Sequence, residues 1–352
     1  MKILFGVFDW GLGHATRDLP IIEALLQKGH TVHIITTGRA LTLLKNRLQK
    51  RCTYFDVPSI TPPYAKSKFM AIKFARMIPQ MLLEMNKAHK VIKKIIKENQ
   101  YDKVISDCRY DVYDTNKNSY LINHQVRFQA PPGAELIIER WLASRIKRYD
   151  KCLIPDFEEP NLSGRLSHHL KFVKKEQLEY IGILSQVKKK NLKEDIDCFI
   201  SISGPEPQRT ILERKIFKEL PLLKGKIVIT LGKPELNEVE QEGNVTIYGF
   251  LNTQQQETMM NRAKCVVSRS GYTTIMELVE LGKKNILFIP TPGQTEQEYL
   301  GRYYTKKGYF YAVAQNKLHL QRDLIAATHA LGFQAQWTTK ESVKKCLKVI
   351  GV

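Results

Sequence analysis

A glycine-rich turn near the start of the chain carries a histidine with the chemistry of a catalytic base. The turn, Gly11-Leu12-Gly13-His14, joins a compact apolar segment to a segment with helical periodicity. Glycines at such a turn let a ligand approach the backbone, and the following helix N-terminus offers N–H groups and partial positive charge. A dinucleotide fingerprint needs a third glycine where this chain has Ala15 and Thr16. The turn therefore predicts either a phosphate site or a plain tight turn, and His14 adds a side chain that titrates near neutrality.

A longer stretch in the second half has the residue types expected of a nucleotide-binding turn. There a buried strand ends in Ser268-Arg269-Ser270-Gly271 and leads into a helix that carries Thr273 and Glu277. The N–H groups at that helix start could hold a diphosphate, and the Glu277 carboxylate could accept hydrogen bonds from ribose hydroxyls. A second polar loop follows the next strand, and its amides and carboxylate suit sugar hydroxyls: Gln294, Gln297 and Glu298. Two such stretches, each after a strand, indicate a nucleotide-sugar site.

These turns need strands and helices to position them, and the first half of the chain alternates the two. Lys2–Phe8 and Thr31–Thr36 have strand patterns, and Arg17–Lys28 between them has apolar residues at helical spacing. One βαβ unit of this kind, in roughly 35 residues, predicts a parallel sheet. Later strands end at Asp107 and at His124, and ligands gather at the carboxyl ends of strands in open α/β sheets.

The second half repeats this architecture without a close sequence repeat. A polar, lysine-rich segment, Ser185–Asp195, precedes a new buried strand and the loop that contains Ser203 and Gly204. We therefore predict an α/β protein of two Rossmann-like domains. The N-terminal domain spans residues 1–184 and the C-terminal domain residues 185–352, with the last helix able to pack back on the N-terminal domain.

The composition favours anionic partners. Lys and Arg number 55 against 35 Asp and Glu, a formal charge of +20, which suits nucleic acid, an anionic membrane or a phosphorylated substrate. Part of the excess lies in Lys66–Lys97, within the helical stretch Ala71–Asn99, which Pro79 interrupts or kinks. That stretch predicts either a core helix with solvated lysines or a basic, Met-rich surface for an anionic bilayer or a lipid acceptor.

The sequence also bears on the compartment. No apolar run approaches the ~18 residues of a membrane span, and the apolar run at the N-terminus is too short for a signal peptide. The 6 cysteines are widely spread with no CxxC pair, a pattern that fits a reducing compartment and no zinc site. We expect a cytoplasmic protein, with contact at the inner face of the cell membrane as a further expectation.

The donor-type motifs resemble those of a known family. Ser268–Gly271 through Glu277, then Ile289-Pro290 and Gln297-Glu298-Tyr299, look like the donor-binding region of the peptidoglycan UDP-N-acetylglucosaminyltransferase family, glycosyltransferase family 28. Here Glu298 stands in place of the family's second glutamine. The likeness is detailed over Tyr248–Gly301, and elsewhere it lies in layout, so the chain looks more like uncharacterised relatives than like the peptidoglycan enzyme.

This resemblance implies the GT-B fold, in which two Rossmann-like domains have parallel sheets facing across a cleft. It also implies a donor site for a nucleotide sugar, UDP-N-acetylglucosamine or a UDP-hexose, in the C-terminal domain. Glu277 would bind the ribose, Phe250 and Leu251 the base, and Gln294, Gln297 and Glu298 the sugar. Ser203, Gly204, Ser270 and Gly271 would hold the phosphates, and the other donor-binding residues expected are Gly11, Gly13, Arg209, Arg269 and Thr273. The loop Ser203–Arg209 departs from the family's glycine loop at Pro205 and Pro207.

The chemistry expected of such a site is the transfer of a glycosyl group to a hydroxyl. The acceptor hydroxyl must lose a proton, and we predict His14 as the base, with Asp107 orienting it from a neighbouring strand end. A phosphate-binding histidine and a helix-capping aspartate are the alternatives. Arg209 or Arg269 would stabilise the leaving diphosphate. Because no DxD pair follows a strand, we predict no metal and no cofactor beyond the UDP-sugar co-substrate.

Two other functions fit the sequence less well. A nucleotide-sugar 2-epimerase of the same fold would act without an acceptor. A non-catalytic, basic membrane-binding or nucleic-acid-binding protein would use the positive charge alone, but the chain has no RNP-like or helix-turn-helix signal, so specific nucleic-acid binding is not expected. The acceptor is not identified by the sequence, and a lipid-linked one is among the candidates.

Overall fold

The computed structural model describes residues 1–60, 70–116, 118–130, 133–236 and 238–352, and over 70–78 it describes the backbone only. These residues divide into two compact units. Unit 1 comprises Met1–Gln186 together with Gln336–Val352, and unit 2 comprises Val187–Ala335. Each unit contains a seven-stranded sheet with helices between the strands, which is the α/β class expected from the sequence.

Unit 1 is built on a parallel sheet with the strand order β3-β2-β1-β4-β5-β6-β7. The strands are β1 Lys2–Val7, β2 Thr31–Thr36, β3 Thr53–Asp56, β4 Lys103–Asp107, β5 Asn118–Ile122, β6 Lys151–Ile154 and β7 Leu178–Tyr180. The first four helices are α1 Gly13–Gln27, α2 Gly38–Leu48, α3 Met70–Asn99 and α4 Ala134–Ile146. The central strands β1 and β4 are buried along nearly their whole length, as parallel strands covered by helices on both faces must be.

Helix α1 begins at Gly13, whereas the apolar periodicity placed its start at Arg17. The earlier start places His14 in the first turn of the helix, with Arg17 and Asp18 three and four residues later in the next turn. Residues at these spacings share a helix face, so their side chains point in a common direction. Arg17 and Asp18 are buried, at 1% and 0% exposure, although charged residues ordinarily lie on the solvent side of such a helix.

Helix α3 runs without a break through Pro79. Among its described side chains, Met85, Ala88, Ile92 and Ile96 are buried and three of them join a core cluster with Leu4 of the sheet. The lysines of its second half are exposed. The apolar face is therefore core, as the first of the two sequence interpretations has it. Residues 66–69 of the basic stretch lie outside the described residues.

Unit 2 has the strand order β10-β11-β9-β8-β12-β13-β14, parallel except for β10 against β11. The strands are β8 Ile196–Ser201, β9 Ile227–Thr230, β10 Val239–Glu242, β11 Val245–Tyr248, β12 Ala263–Ser268, β13 Ile286–Phe288 and β14 Tyr311–Ala312. The helices are α5 Gln208–Glu219, α6 Thr253–Arg262, α7 Tyr272–Glu280, α8 Thr295–Lys307 and α9 Leu320–Thr328. One large apolar cluster fills the space between the sheet and helices α5 and α9.

The last helix, α10 Thr339–Ile350, belongs to unit 1 and not to the domain that precedes it in sequence. It packs against α1. A capping box of Thr338 and Glu341 starts it, and Trp337 just before it packs edge-on against Phe157. Taken over all the helices described, none has both the length and the hydrophobicity needed to cross a membrane.

Candidate functional site

The carboxyl edge of the unit 1 sheet gathers the titratable residues that the sequence analysis picked out. Strands β1, β4 and β5 are neighbours in the sheet, so the segments that follow them meet. The turn after β1 leads to His14, β4 ends at Asp107, and β5 is followed by His124. His14 Nδ1 lies 2.8 Å from Asp107 Oδ2, and the two histidine rings lie 6.1 Å apart between centroids.

The Asp107 carboxylate holds His14 in one tautomer. An ionised carboxylate only accepts hydrogen bonds, so His14 must carry its proton on Nδ1 and leave the Nε2 lone pair available. Arg17 bonds both oxygens of the same carboxylate, from Nε at 3.1 Å to Oδ2 and from Nη2 to Oδ1. Arg17 Nη1 also donates to His124 Nδ1 at 2.7 Å. The result is a buried, charge-compensated Arg17–Asp107 pair that orients an imidazole.

Burial and the neighbouring charges shift these groups in opposite directions. Burial works against ionisation of Asp107, but Arg17 and His14 outweigh it and hold the pKa of the Asp107 carboxyl well below its usual range. Burial lowers the pKa of His14, and Asp107 opposes this only in part. The His14 side chain keeps 16% exposure while Asp107 has none. His14 is therefore neutral at neutral pH, which is the state that a general base requires.

Arg17 and Cys108 are the members of this cluster that sequence reasoning missed. The spacing of His14 and Arg17, one helical turn apart, could have signalled Arg17 if the helix had been started at Gly13. His14, Asp107 and Cys108 bring metal-ligand atoms within 4.8 Å of one another. However, Arg17 bonds both Asp107 oxygens, and its cation would repel a metal ion, so these residues fit an oriented base better than a metal site.

In unit 2, three loops meet at the carboxyl edge of the sheet, after the neighbouring strands β8, β12 and β13. Helices α5, α7 and α8 begin directly behind these loops. Ser203 and Gly204 are exposed, and Gly204 has a φ of +111°, which favours glycine. A Cβ atom on Gly204 would lie 3.4 Å from Thr291 Oγ1 of the β13 loop, so the first and third loops approach closely.

The second loop, which follows β12, offers backbone N–H groups to a ligand, and the Ser270 hydroxyl is not available. Ser270 is buried, and its hydroxyl donates to the Gln297 carbonyl at 2.9 Å, so this hydroxyl serves the loop and not an incoming phosphate. Gly271 caps α7 in an extended conformation, with Thr273 and Glu277 partly buried on that helix. Any phosphate held here would meet the start of α7 through backbone N–H groups, while Glu277 keeps part of its surface exposed.

Arg269 has a different task from the one predicted. Its guanidinium donates only to backbone carbonyls: Nε to Ser203 at 3.1 Å, Nη1 to Ile289 at 3.0 Å and Pro290 at 3.3 Å, and Nη2 to Gln208 at 3.0 Å. It is 3% exposed, and burial lowers its pKa to about 10. Arg269 thus ties the three loops together, and its donors are not directed at a leaving diphosphate.

The polar side chains of the third loop also shape the loop. Gln297 Oε1 accepts from Thr291 N at 2.9 Å, and Gln297 Nε2 donates to Gln294 Oε1. Glu298 Oε1 accepts from Gly293 N at 3.0 Å. The sequence analysis gave these three side chains to the sugar, whereas here they close the turn that begins α8. Contact with a sugar would use their remaining donors and acceptors.

Five other predicted donor residues have surroundings that bear on their expected roles. Phe250 is 39% exposed, whereas Leu251 is 1% exposed and is a core residue, so only Phe250 offers a side-chain face to a base. Arg209 pairs with Glu206 and donates to the Gly232 carbonyl at 2.9 Å. In unit 1, Gly11 has a φ of +83° and is exposed, while Gly13 is partly buried at the start of α1.

Thr291 is a residue of this edge that the sequence analysis missed. It is 1% exposed, and its Oγ1 is buried with no hydrogen-bond partner among the residues that the structure describes. Buried hydroxyls nearly always have a partner. This hydroxyl lies beside Gly204, and no sequence signal distinguishes Thr291 from an ordinary threonine.

Two family models match the chain. Residues 1–124 match the model described as Glycosyl transferase family 1, and residues 207–347 match the Glycosyltransferase family 28 C-terminal domain. An uncharacterized glycosyltransferase of Methanosarcina acetivorans is 23% identical over 334 residues, which cover 88% of this chain and 84% of the relative.

Solved structures of the same fold include one bacterial and one plant protein. MurG of Acinetobacter baumannii is 12% identical, with a TM-score of 0.57 over 100% of this chain and 95% of its own. UGT89C1 of Arabidopsis thaliana, solved with UDP-L-rhamnose, is 13% identical, with a TM-score of 0.61 over 99% of this chain and 93% of its own. At these identities the likeness shows the fold alone.

Proposed function

We propose that this chain, which is a glycosyltransferase with the GT-B fold, moves a hexosyl or N-acetylhexosaminyl group from a UDP-sugar to a hydroxyl acceptor. The observation that carries the donor assignment is the convergence of three loops on the carboxyl edge of the unit 2 sheet. Their backbone precedes three helix starts, and Arg269 fixes them to one another. Such an arrangement suits a diphosphate, since helix N-termini carry both N–H donors and partial positive charge.

Within that edge, Glu277 on α7 binds the ribose hydroxyls and Phe250 stacks on the base. UGT89C1 was solved with UDP-L-rhamnose and another structure of the same fold with thymidine diphosphate, so uridine and thymidine nucleotides are the first donors to test. The sugar itself would be held by the loop that contains Gln294, Gln297 and Glu298, with the atoms that the loop's own hydrogen bonds leave over.

The transfer step needs a base, and His14 in unit 1 has the tautomer and the neutral state for it. As the acceptor oxygen bonds to the anomeric carbon, its proton passes to His14 Nε2. The bond from the anomeric carbon to the diphosphate oxygen breaks, and UDP leaves with its electron pair. Asp107 stabilises the imidazolium through Nδ1, and a base of this kind contributes about 10²–10⁴ in rate.

Charge on the leaving UDP would be met by the helix starts behind the three loops, so we propose that no metal ion is required. The test is turnover in EDTA. Activity that persists supports the proposal, and complete loss restored by magnesium contradicts it.

We further propose that the protein works in the cytoplasm, at the inner face of the membrane, on a lipid-linked acceptor. The exposed lysines along the second half of α3 support an electrostatic contact with anionic lipid. Sedimentation with phosphatidylglycerol vesicles at low and high salt tests this contact. Binding to phosphatidylglycerol but not phosphatidylcholine, lost at high salt, supports it, and equal recovery with both lipids contradicts it.

The donor proposal is tested first by thermal shift with UDP, GDP, TDP and their sugars. A donor at 100 times its Kd raises the melting temperature by about 5–10 °C for a unit of this size. Glu277→Ala should lose most of the UDP shift, whereas Glu280→Ala, one turn further along the same helix, should keep it. A UDP shift that is equal in both variants would refute the ribose assignment.

Incubation with UDP-N-acetylglucosamine alone then separates the transferase from an epimerase, which would form the C2 epimer.

A further inference from the structure

Asp18 is a buried carboxyl group without an obvious hydrogen-bond donor. It lies on α1 four residues after His14 and has 0% exposure, and neither carboxyl oxygen accepts a hydrogen bond from any donor in the part of the chain described. An ionised carboxylate in such a place would lose its hydration and gain no donors in return, which is among the least favourable arrangements in a protein interior. Its protonation state therefore needs a physical explanation.

The explanation lies in its neighbour Asp107. Arg17, which directly precedes Asp18, and His14, one turn earlier on α1, both bond the Asp107 carboxylate, so Asp18 lies beside it, and Asp107 raises the pKa of Asp18. Two ionised carboxylates side by side repel each other, so one of them retains a proton. Asp107 already accepts from Arg17 and from His14 and is the ionised member of the pair. The shared proton consequently resides on Asp18.

We propose that Asp18 is a neutral carboxylic acid whose O–H donates to Asp107, and that it acts as a positioning residue for the His14 base. The role toward His14 rests on the proposed function, while the protonation state does not. With Asp18 neutral, the cluster holds one cation, Arg17, and one anion, Asp107. Ionisation of Asp18 would leave a second anion buried with no cation of its own.

The groups that face Asp18 from each packed element agree with this state. Arg17 on α1 and Asp107 at the end of β4 act on it in opposite directions, and the Cys346 thiol on α10 faces it as a neutral group. Burial, followed by Asp107, raises the pKa of Asp18 well above its usual range, and Arg17 reverses this only in part. Burial likewise raises the pKa of Cys346 to about 12.

The hydrogen bond from Asp18 has a consequence for the base. By sharing a proton with Asp107, it withdraws part of the negative charge that attracts the His14 proton on Nδ1. A weaker pull from Asp107 keeps the His14 pKa low, so the imidazole stays neutral and able to accept a proton from the acceptor.

The protonation state can be tested on the protein without any substrate. All 3 tryptophans, Trp10, Trp141 and Trp337, lie in unit 1, so tryptophan fluorescence reports the unfolding of the unit that contains Asp18. A carboxyl whose pKa is raised on folding loses stability as pH rises, because the folded state binds a proton that the unfolded state has released. Above the ordinary aspartate pKa of 3.8, the folding constant of Asp18→Asn relative to the native protein should therefore rise about tenfold per pH unit until Asp18 ionises.

Asp323→Asn is the control for a buried carboxylate that has donors, and its unfolding is followed by far-UV circular dichroism because unit 2 has no tryptophan. Asp323 is also fully buried, but it accepts from His319 N at 2.8 Å and from Arg322, so its loss should destabilise unit 2 without the rising pH slope. Infrared spectroscopy at neutral pH should show a protonated carboxyl band that Asp18→Asn lacks. Parallel stability curves for the native protein and Asp18→Asn, or the absence of that band, would overturn the proposal.

Activity tests the positioning role. Asp18→Leu, which has no donor for Asp107, should shift the acidic limb of the kcat/KM profile to higher pH and lower kcat with little change in donor KM. Asp18→Asn, whose amide can donate to Asp107, should recover part of the loss, and Asp323→Asn should leave the limb in place. An acidic limb that is identical in Asp18→Leu and the native protein would refute the role. If no donor is turned over at all, the proposed function fails, while the stability and infrared results still decide the state of Asp18.

Discussion

Replacing Arg269 with methionine separates a structural role for this residue from the catalytic role that its sequence context implied. The guanidinium makes hydrogen bonds to carbonyls of Ser203, Gln208, Ile289 and Pro290 and forms no ion pair among the described side chains. The change therefore removes the cross-link between the three loops of unit 2 while keeping most of the side-chain volume.

The magnitude follows from two opposing terms. Four hydrogen bonds from a charged donor are worth about 1.5 kcal/mol each, so their loss costs about 6 kcal/mol. Burial of the cation, which lowers its pKa from 12.5 to about 10, is relieved by the substitution and returns about 3 kcal/mol. We therefore expect unit 2 to lose about 3 kcal/mol of unfolding free energy, or about 6–12 °C in melting temperature for a unit of this size.

The assay is urea unfolding followed by far-UV circular dichroism, since unit 2 has no tryptophan. It is combined with steady-state kinetics, in which we expect a raised donor KM and a smaller change in kcat, because the loop of Ser203 and Gly204 loses its anchor. The control is Arg209→Met on the same loop, where the Glu206 pair is partly exposed and its loss costs about 0–1 kcal/mol. Unchanged stability and donor KM in Arg269→Met, together with turnover that is slower by about 100-fold or more, would refute the structural role.

Three further predictions concern substitutions at single residues. Burial lowers the His14 pKa from 6.5, so the fall of kcat/KM with decreasing pH should have its midpoint below 6.5, and a midpoint above 6.5 would contradict the neutral base. The variant His14→Asn should slow turnover by about 10²–10⁴-fold. Thr291→Val removes a hydroxyl that is buried without a partner among the described residues. Urea unfolding should therefore show equal or slightly higher stability, while donor KM rises about tenfold. A clear loss of stability would mean that the hydroxyl has a partner. Gly182→Ala places a Cβ against Trp337 Nε1 and Ser342 Oγ at a φ of +86°, so tryptophan-detected unfolding should show a loss of more than about 2 kcal/mol. An unchanged midpoint would contradict the packing of that segment.

The sequence predicts the architecture well because the architecture depends on local patterns. Apolar strands followed by helical periodicity require a parallel sheet, and adjacent parallel strands bring their carboxyl ends together. That rule is enough to place His14 near Asp107, and the structure puts their side chains 2.8 Å apart. Their catalytic roles remain predictions.

What the sequence does not predict is which polar side chains are used up by the fold itself. Arg17 and Asp18 look like solvent-facing residues of an amphipathic helix, and only a partner about 90 residues away, Asp107, explains their burial. Arg269 and Gln297 look like ligands for an anion and a sugar because arginine and amides often are. Their actual partners are backbone groups of neighbouring loops, whose positions depend on tertiary structure.

Because α10 belongs to unit 1, it affects how the chain folds during synthesis and which fragments can be expressed. During synthesis, the residues of unit 2 emerge before the segment 336–352, so unit 2 can finish folding while the surface of α1 that receives α10 is still uncovered. A fragment of residues 1–186 would keep that surface bare and is expected to aggregate, whereas residues 187–335 form a continuous stretch that can be expressed alone. The unit that is translated first is therefore completed last.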